Sequence, residues 1–503
     1  MCALGGRPFI DNWFRERGWS PFPFQEQTWD AYARGQSGLV HAPTGLGKTL
    51  AVWLGPLMEW LEEHPDPLAW PTLKAPPLTV LWVTPLRALA HDTLSSLRAP
   101  VEAMGMPWEV EMRTGDTASA AKTRQRKQLP TALVTTPESL TVLLSYPESA
   151  AQFRHLKCVV VDEWHELLGT KRGTQTELAL ARLRHFAPGL RTWGLSATLG
   201  NLEQAREVLI PHAPDAPLIT AEVRKEIVIE TLVPASMERF PWAGHIGLKL
   251  LPEVLARIRG AESTLLFTNT RAQAEIWFQQ IIDHAHDLMG LVGLHHGSLE
   301  RSLRSEVEQR LTDGRLRVVV CTSSLDLGVD FSPVDQVIQV GSPKGIARLM
   351  QRAGRSGHRP GVPSRIVCVP THAFELVEFA AVKAALAGDA EGGPQVEARV
   401  PLVKPLDVLV QHLVTVALGG GFVAVELLAE VRTTWAYASL QDDEWHWALD
   451  FVTWGGPALR AYGQFAKVVV EEGSDPPRHV VNSTEIARFH RMTIGSITSD
   501  AAL

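Results

Sequence analysis

Two adjacent carboxylates, Asp162 and Glu163, close the apolar run Cys158-Val159-Val160-Val161 and are the residues of this chain best placed for polar chemistry. On its own, an acidic pair after a strand reads as the start of a loop. Burial without a partner disfavours two like charges, and a bound cation would change that. Upstream stands Ala42-Pro43-Thr44-Gly45-Leu46-Gly47-Lys48-Thr49, preceded by the apolar Gly38-Leu39-Val40. Gly45 and Gly47 let backbone amides close around an anion that side chains would exclude, and the following helix points its positive end at the same place. Lys48 reaches terminal phosphates, and the Thr49 hydroxyl suits magnesium. The chemistry expected of this set is hydrolysis of ATP with Mg2+. In that scheme Asp162 holds the metal through water, and Glu163 orients and deprotonates the attacking water.

Charge that grows on the transferring phosphate calls for a cation supplied from outside the first domain when the site closes. The run Gln351-Arg352-Ala353-Gly354-Arg355-Ser356-Gly357-His358-Arg359 offers several, although alone it reads as a solvated basic helix end. A third set, Thr84, Arg87, Thr136, Thr268, Asn269, Thr322 and Ser323, falls at strand ends and loop starts. Hydroxyls, amides and helix N-termini at such positions bind phosphates without reading bases. Each threonine taken singly is a turn or cap residue, so the inference rests on their ordered recurrence.

The elements that position these residues alternate between short apolar runs and longer amphipathic ones. Strands are expected at 38–41, 78–84, 109–113, 132–135, 158–162 and 192–196, with helices between them. This pattern implies a parallel sheet covered on both faces, with ligands at the strands' carboxyl ends. Three prolines within residues 211–217 suggest a domain linker. Beyond it the alternation resumes, with strands at 263–269, 290–295, 316–322, 334–340 and 364–369 and helices at 271–284 and 301–311. That second layer carries no phosphate loop. From Lys404 the spacing turns helical, is broken by Gly419-Gly420-Gly421, and resumes over 423–431 and 442–454. Strands are expected at 465–470 and 491–497, and the chain is expected to stop inside a larger domain.

Composition narrows the class. With 503 residues and 45% hydrophobic content the chain calls for several packed domains. A net charge of −7 excludes a wholly basic coat, so any nucleic-acid contact has to be a local track. Cys2, Cys158, Cys321 and Cys368 are far apart, which suggests a reducing cytoplasm, with Cys158 and Cys321 in the core. Neither a signal peptide nor a membrane span is expected. The basic run Lys122 to Lys127 reads as a solvated helix face, His295-His296 lacks a ligand set for metal, and most of the 16 tryptophans read as packing.

Taken together, the motifs resemble those of a superfamily 2 DEAD/DEAH-type helicase of the Lhr (large helicase-related) family, in its ligase-associated bacterial branch, over nearly the full length. Gln25 resembles the adenine-reading glutamine, and 42–49 the first helicase motif. Thr84-Pro85-Leu86-Arg87 and Thr136-Pro137-Glu138-Ser139 resemble the strand-gripping motifs. Asp162-Glu163-Trp164-His165, continued through Lys171-Arg172-Gly173, is similar to the second motif, and Ser196-Ala197-Thr198 to the third. Phe267-Thr268-Asn269-Thr270-Arg271, His295-His296-Gly297-Ser298, the stretch Thr322 to Asp330, and the arginine run complete the series.

The resemblance implies an α/β fold with two tandem RecA-like parallel-sheet domains (1–215 and 216–395), a winged-helix domain (396–458) and the start of a further β-containing domain (459–503). It adds Thr44, Gly328 and Asp330 to the nucleotide site, Gln351, Arg355 and Arg359 to catalysis, and His165, Ser196 and Thr198 to coupling. His358 stands where the last motif usually carries its final arginine, which favours Arg355 over Arg359 as the finger. The activity implied is ATP-driven 3′ to 5′ movement on a single strand with unwinding of DNA and RNA:DNA duplexes. The setting implied is DNA repair, by a monomer acting beside a DNA ligase and nuclease system. The residues alone also admit an RNA-remodelling ATPase, or a nucleotide-switched P-loop clamp that does not travel. A P-loop transferase fits less well, because it needs no second arginine-bearing lobe.

Overall fold

The computed structural model describes residues 5–222, 226–233, 247–326, 334–357, 363–387, 395–455 and 466–496. Runs such as Val159-Val160-Val161 and Val318-Val319-Val320 lack polar alternation because both faces of their strands are covered, and β-branched residues pack well on such strands. The first sheet has seven parallel strands, in spatial order Val110–Arg113, Ala132–Thr135, Val80–Val83, Cys158–Val161, Arg191–Ser196, Gly38–His41 and Leu218–Thr220. Two apolar cores cover its faces. The N-terminal helices Arg7–Glu16 and Pro23–Ala33 join the core that holds the helix Lys48–Glu63.

Six of the seven strands coincide with those expected. The seventh corrects the boundary placed after residue 215. Leu218–Thr220 pairs with Gly38–His41, and the Pro217 carbonyl accepts from the Leu39 amide at 3.0 Å. The prolines stop a helix, but the chain then returns to the edge of the same sheet, so the first lobe extends past them.

The second sheet is also parallel, in the order Val292–His295, Val318–Cys321, Thr264–Phe267, Gln336–Val340, Ser364–Val369 and Ile227–Thr231. The last of these, a half-buried edge strand, was not anticipated. Cys158, Cys321 and Cys368 are buried, free thiols.

The third unit holds the helices Leu406–Leu418, Ala424–Val431 and Asp442–Trp454 and an antiparallel sheet in which Arg478–Val480 lies between Phe422–Val423 and Val469–Val470. This is a winged-helix arrangement, and it corrects two expectations. The strand expected at 465–470 and assigned to a further domain gives Val469–Val470 to this sheet instead. Of the strand expected at 491–497, the described residues through 496 form none, because residues Thr484–Thr493 form a helix that Ser483 caps by accepting from the Ile486 amide. A short 3-10 turn over Ile494–Ser496 follows it. His490 and Ile494 are both buried at helical spacing, a periodicity that short polar interruptions hid.

The winged helix is moored to the first lobe. Lys171 pairs with Asp407 at 2.7 Å and Arg182 with Glu430 at 2.8 Å, and the Glu177 carboxylate accepts from the Ala436 amide at 2.9 Å. A side chain at Gly419 would strike the Leu144 carbonyl, so the helix end approaches the lobe at backbone distance. Among the described residues no helix is long and apolar enough to cross a membrane.

Candidate active site and nucleic-acid cleft

The loop after Gly38–His41 turns through two left-handed glycines, Gly45 at φ 87° and Gly47 at φ 75°, before Lys48 begins the helix Lys48–Glu63. Lys48 is buried, and its amine donates to the Ala42 carbonyl at 2.8 Å, drawing the loop into a ring. Gln25 braces that ring. Its Nε2 donates to the Gly47 carbonyl at 3.0 Å, and its Oε1 accepts from the Phe22 amide at 2.8 Å. A Cβ at Gly47 would lie 2.8 Å from Gln25 Nε2, the movable end of a side chain, so it is the left-handed φ that calls for glycine there. Thr49, the second residue of the helix, is half-buried beside it.

Asp162 and Glu163 follow Cys158–Val161 at the sheet's carboxyl edge, both buried. The Trp82 indole donates to Asp162 Oδ2 at 3.2 Å, and the Glu163 amide donates to Oδ1 at 2.9 Å. Burial and then the neighbouring Glu163 charge push Asp162 up to about 7. Burial also works against Glu163, yet the fields of Lys48, His165 and Arg355 outweigh it and hold Glu163 below the usual carboxylate value. Its φ of 45° is a left-handed conformation that a non-glycine residue adopts at a cost of about 1–3 kcal/mol. Its Oε2 is buried and has no hydrogen-bond partner among the described residues.

This donor set fits ATP and Mg2+. The glycine cradle admits phosphate oxygens, Lys48 faces it, and a divalent cation held by the Thr49 hydroxyl and Asp162 would neutralise the buried carboxylate pair. When bound, the metal supplies charge neutralisation at the terminal phosphates. Glu163, kept ionised, is the group fitted to take a proton from water.

His165 links this pair to the next strand. Its Nδ1 lies 3.4 Å from Glu163 Oε2, 3.4 Å from Ser196 Oγ and 3.5 Å from the Ala197 amide. Burial outweighs the acids around it and lowers its pKa. Thr198 Oγ1 is buried with no hydrogen-bond partner among the described residues.

From the second lobe, Arg355 donates from Nε and Nη2 to the Asp326 carbonyl at 3.2 and 2.8 Å, and its charge acts on Glu163. Arg352 serves its own lobe. It forks onto Asp326 at 2.7 and 3.1 Å, donates to Gln339 and stacks over Phe267 at 4.7 Å. Gln351 is buried, and its Nε2 has no hydrogen-bond partner among the described residues. Gly328, Asp330 and Arg359 lie outside the described residues.

A cavity of about 1290 Å³ runs between the two lobes and the winged helix. Pro85, Arg87, Thr136 and Glu138 line it from the first lobe, Thr322, Ser323 and Gln351 from the second, and Arg491 from the third unit. Five predicted track residues are used elsewhere. The hydroxyls of the fully buried Thr84 and Thr268 bond the carbonyls of Leu86 at 3.0 Å and Thr270 at 3.1 Å. Asn269 Nδ2 donates to the Ser342 carbonyl at 2.8 Å, Arg271 bonds Ser298, and Pro137 is buried in the first turn of its helix. These residues shape the loops from behind.

Two arginines escaped the sequence reading of roles. Arg172 donates to the Pro85 carbonyl at 2.6 Å and to Glu138 at 2.5 Å, tying the two gripping loops together. Arg491 bonds Ser145 through Nε at 2.9 Å and Nη2 at 2.8 Å and covers the Tyr146 ring. The position of Arg172 just after the acidic motif was the available signal, whereas Arg491 was hidden by the mistaken strand.

The fold and site define a DEAD/DEAH box helicase core. Residues 22–205 match "DEAD/DEAH box helicase", 247–360 match "Helicase conserved C-terminal domain", and 392–503 match "Large helicase-related protein, winged helix domain". The chain is 31% identical over 505 residues to the ATP-dependent helicase Lhr-Core of Methanocaldococcus jannaschii, covering 98% of this chain and 57% of that protein. It is 34% identical to the Lhr helicase/probable uracil glycosylase of Mycolicibacterium smegmatis, over 88% of this chain and 31% of the relative. The solved structure of Mycobacterium smegmatis helicase Lhr bound to ssDNA and AMP-PNP superposes with a TM-score of 0.81 at 30% identity, covering 99% of this chain and 62% of that one. The chain belongs to the Lhr family of superfamily 2 helicases. It spans about half the length of the archaeal relatives it matches.

Proposed function

We propose that this chain is an ATP-dependent, Mg2+-requiring helicase that moves 3′ to 5′ along single-stranded DNA and separates DNA and RNA:DNA duplexes. The observation that carries the reading is the glycine cradle of Gly45, Gly47 and Lys48 beside the buried Asp162–Glu163 pair, in a chain whose two lobes also line one cavity. The charge that Arg355 of the second lobe adds to the field on Glu163 makes hydrolysis depend on the register of the lobes. The cavity between the same lobes is lined by loop residues of each, so a change in their spacing alters the grip on a strand. The relative whose structure was solved bound to ssDNA and AMP-PNP supports this assignment of nucleotide and strand. In this reading the protein acts in the cytoplasm as a monomer, in the ligase-associated branch of the family, and serves DNA repair beside a ligase and nuclease system.

Phosphate release measured with and without single-stranded DNA or RNA tests the motor. Stimulation by DNA is expected, and no stimulation by either strand would sink the reading. Strand displacement on 3′-tailed and 5′-tailed duplexes checks the direction, and activity confined to 5′ tails would reverse it. Stimulation by RNA alone, without duplex unwinding, would select the RNA-remodelling alternative.

A further inference from the structure

The segment that leaves the second lobe for the winged helix crosses both lobes on its way. Glu397 grips the second lobe with its side chain, its carboxylate accepting from the amides of Ile346 and, at 2.9 Å, Ala347. These are the first two residues of the helix Ile346–Ala353, which carries Gln351 and leads into Arg355. The same residue grips the first lobe with its backbone. Its carbonyl accepts from the Gly200 amide at 3.2 Å. Two residues on, Arg399 and Asn201 exchange a pair of bonds, Asn201 Nδ2 to the Arg399 carbonyl at 2.9 Å and the Arg399 amide to Asn201 Oδ1 at 3.0 Å.

Glycines mark both contacts. A side chain at Gly200 would strike the Val396 carbonyl, and one at Gly345, at φ 135°, would come within 3.0 Å of Glu397 Oε1. Gly200 and Asn201 directly follow Ser196-Ala197-Thr198, the loop that His165 joins to Glu163. Burial works against the Glu397 charge, but the two helix amides prevail and hold its pKa below the usual value. It is therefore an ionised cap where the helix dipole favours a negative charge. Arg399, in turn, adds its field to His165.

We propose that residues 396–399 form a strap that sets the register of the two lobes, with Glu397 as the positioning residue that holds the arginine-bearing helix against the loop after Thr198. The inference rests on the proposed ATPase for its kinetic consequence but not for its mechanical one. Side chain on one lobe and main chain on the other make a link that neither lobe forms by itself. Loosening either end displaces Arg355 from Glu163 while leaving both sites assembled.

Hydrogen exchange tests the link without hydrolysis. Asn201→Ala, a change on the first lobe, is expected to speed exchange of the Ile346 and Ala347 amides on the second. Unchanged exchange there would overturn the strap, whether or not the chain hydrolyses ATP. Phosphate release tests the positioning role. Glu397→Ala is expected to lower kcat about a hundredfold, the scale of a small misplacement of a catalytic group, with KM for ATP held within about threefold. Glu397→Gln keeps an acceptor oxygen and is expected to recover part of the loss. A Glu397→Ala variant whose KM and melting temperature fail together, with no rescue by Gln, would make the residue merely structural. A wild-type chain without any ATPase would instead sink the proposed function and leave the exchange result to decide the strap.

Discussion

The first lobe ends its sheet in buried carboxylates, whereas the second buries arginines near its own, and the two sets are satisfied differently. Among the described residues Arg352 finds its partners within its own lobe, in Asp326, Gln339 and Phe267. Glu163 does not, because its Oε2 has no hydrogen bond among the described residues and one of the cations that keep it ionised, Arg355, comes from across the cleft. Two arginines three positions apart thus differ in kind. One is a structural ion pair, and the other keeps its lobe in touch with chemistry elsewhere. Where a buried charge is compensated tells more about its role than its distance from a motif.

Removing the charge that Arg355 adds across the cleft is expected to produce the largest effect. Arg355→Ala is predicted to cut kcat by about 10³ to 10⁵-fold while ATP affinity survives, read by phosphate release and nucleotide titration. Lost ATP binding would move Arg355 into the structural class with Arg352. On the other side, Glu163→Gln is predicted to cost about 10² to 10⁴-fold in kcat, and wild-type turnover by that variant would remove Glu163 as the base.

Arg352→Ala is predicted to act on stability instead. Among the described residues it leaves the buried Asp326 with only the longer 3.7 Å pair to Arg348, at a cost of about 3–5 kcal/mol in denaturant unfolding of the second lobe. An unchanged midpoint would erase the distinction between the two arginines.

The winged helix provides a region with no such division of labour. Burial holds His412 down to about 3 and His490 down to about 4, both below the ordinary 6.5. The folded state therefore binds fewer protons, and the stability from the neutral rings is present above pH 6.5 and lost as pH falls through about 4 toward 3. Thermal melts that stay level between pH 6.5 and 4 would contradict this. The smallest effect is expected for Arg87→Ala, an exposed cleft residue paired with Asp116. It is predicted to weaken single-stranded DNA binding alike for all sequences and to reduce the salt slope by about 0.7. A sequence-selective loss would argue for base contact instead.

The sequence alone determined the two parallel sheets and the phosphate loop, because each is a local pattern. Uninterrupted apolar runs, paired glycines before Lys-Thr, and acids at a strand end are all written within a few neighbouring residues. The strand at 132–135 and the helix at 271–284 fell where the spacing placed them. Tertiary structure decided what depends on distant partners. Leu218–Thr220 is a strand only because Gly38–His41 lies open beside it, and residues 484–493 form a helix only where the winged helix needs a buried His490. The same holds for the threonines. The hydroxyls of Thr84 and Thr268 turn inward onto backbone carbonyls, whereas Thr322 lines the cleft and its hydroxyl donates to Ser324 Oγ at 3.4 Å, a choice fixed by which acceptor lies within reach. The tie from Glu397 to both lobes belongs with these, since no local pattern in a chain encodes two contacts made by one residue in opposite directions.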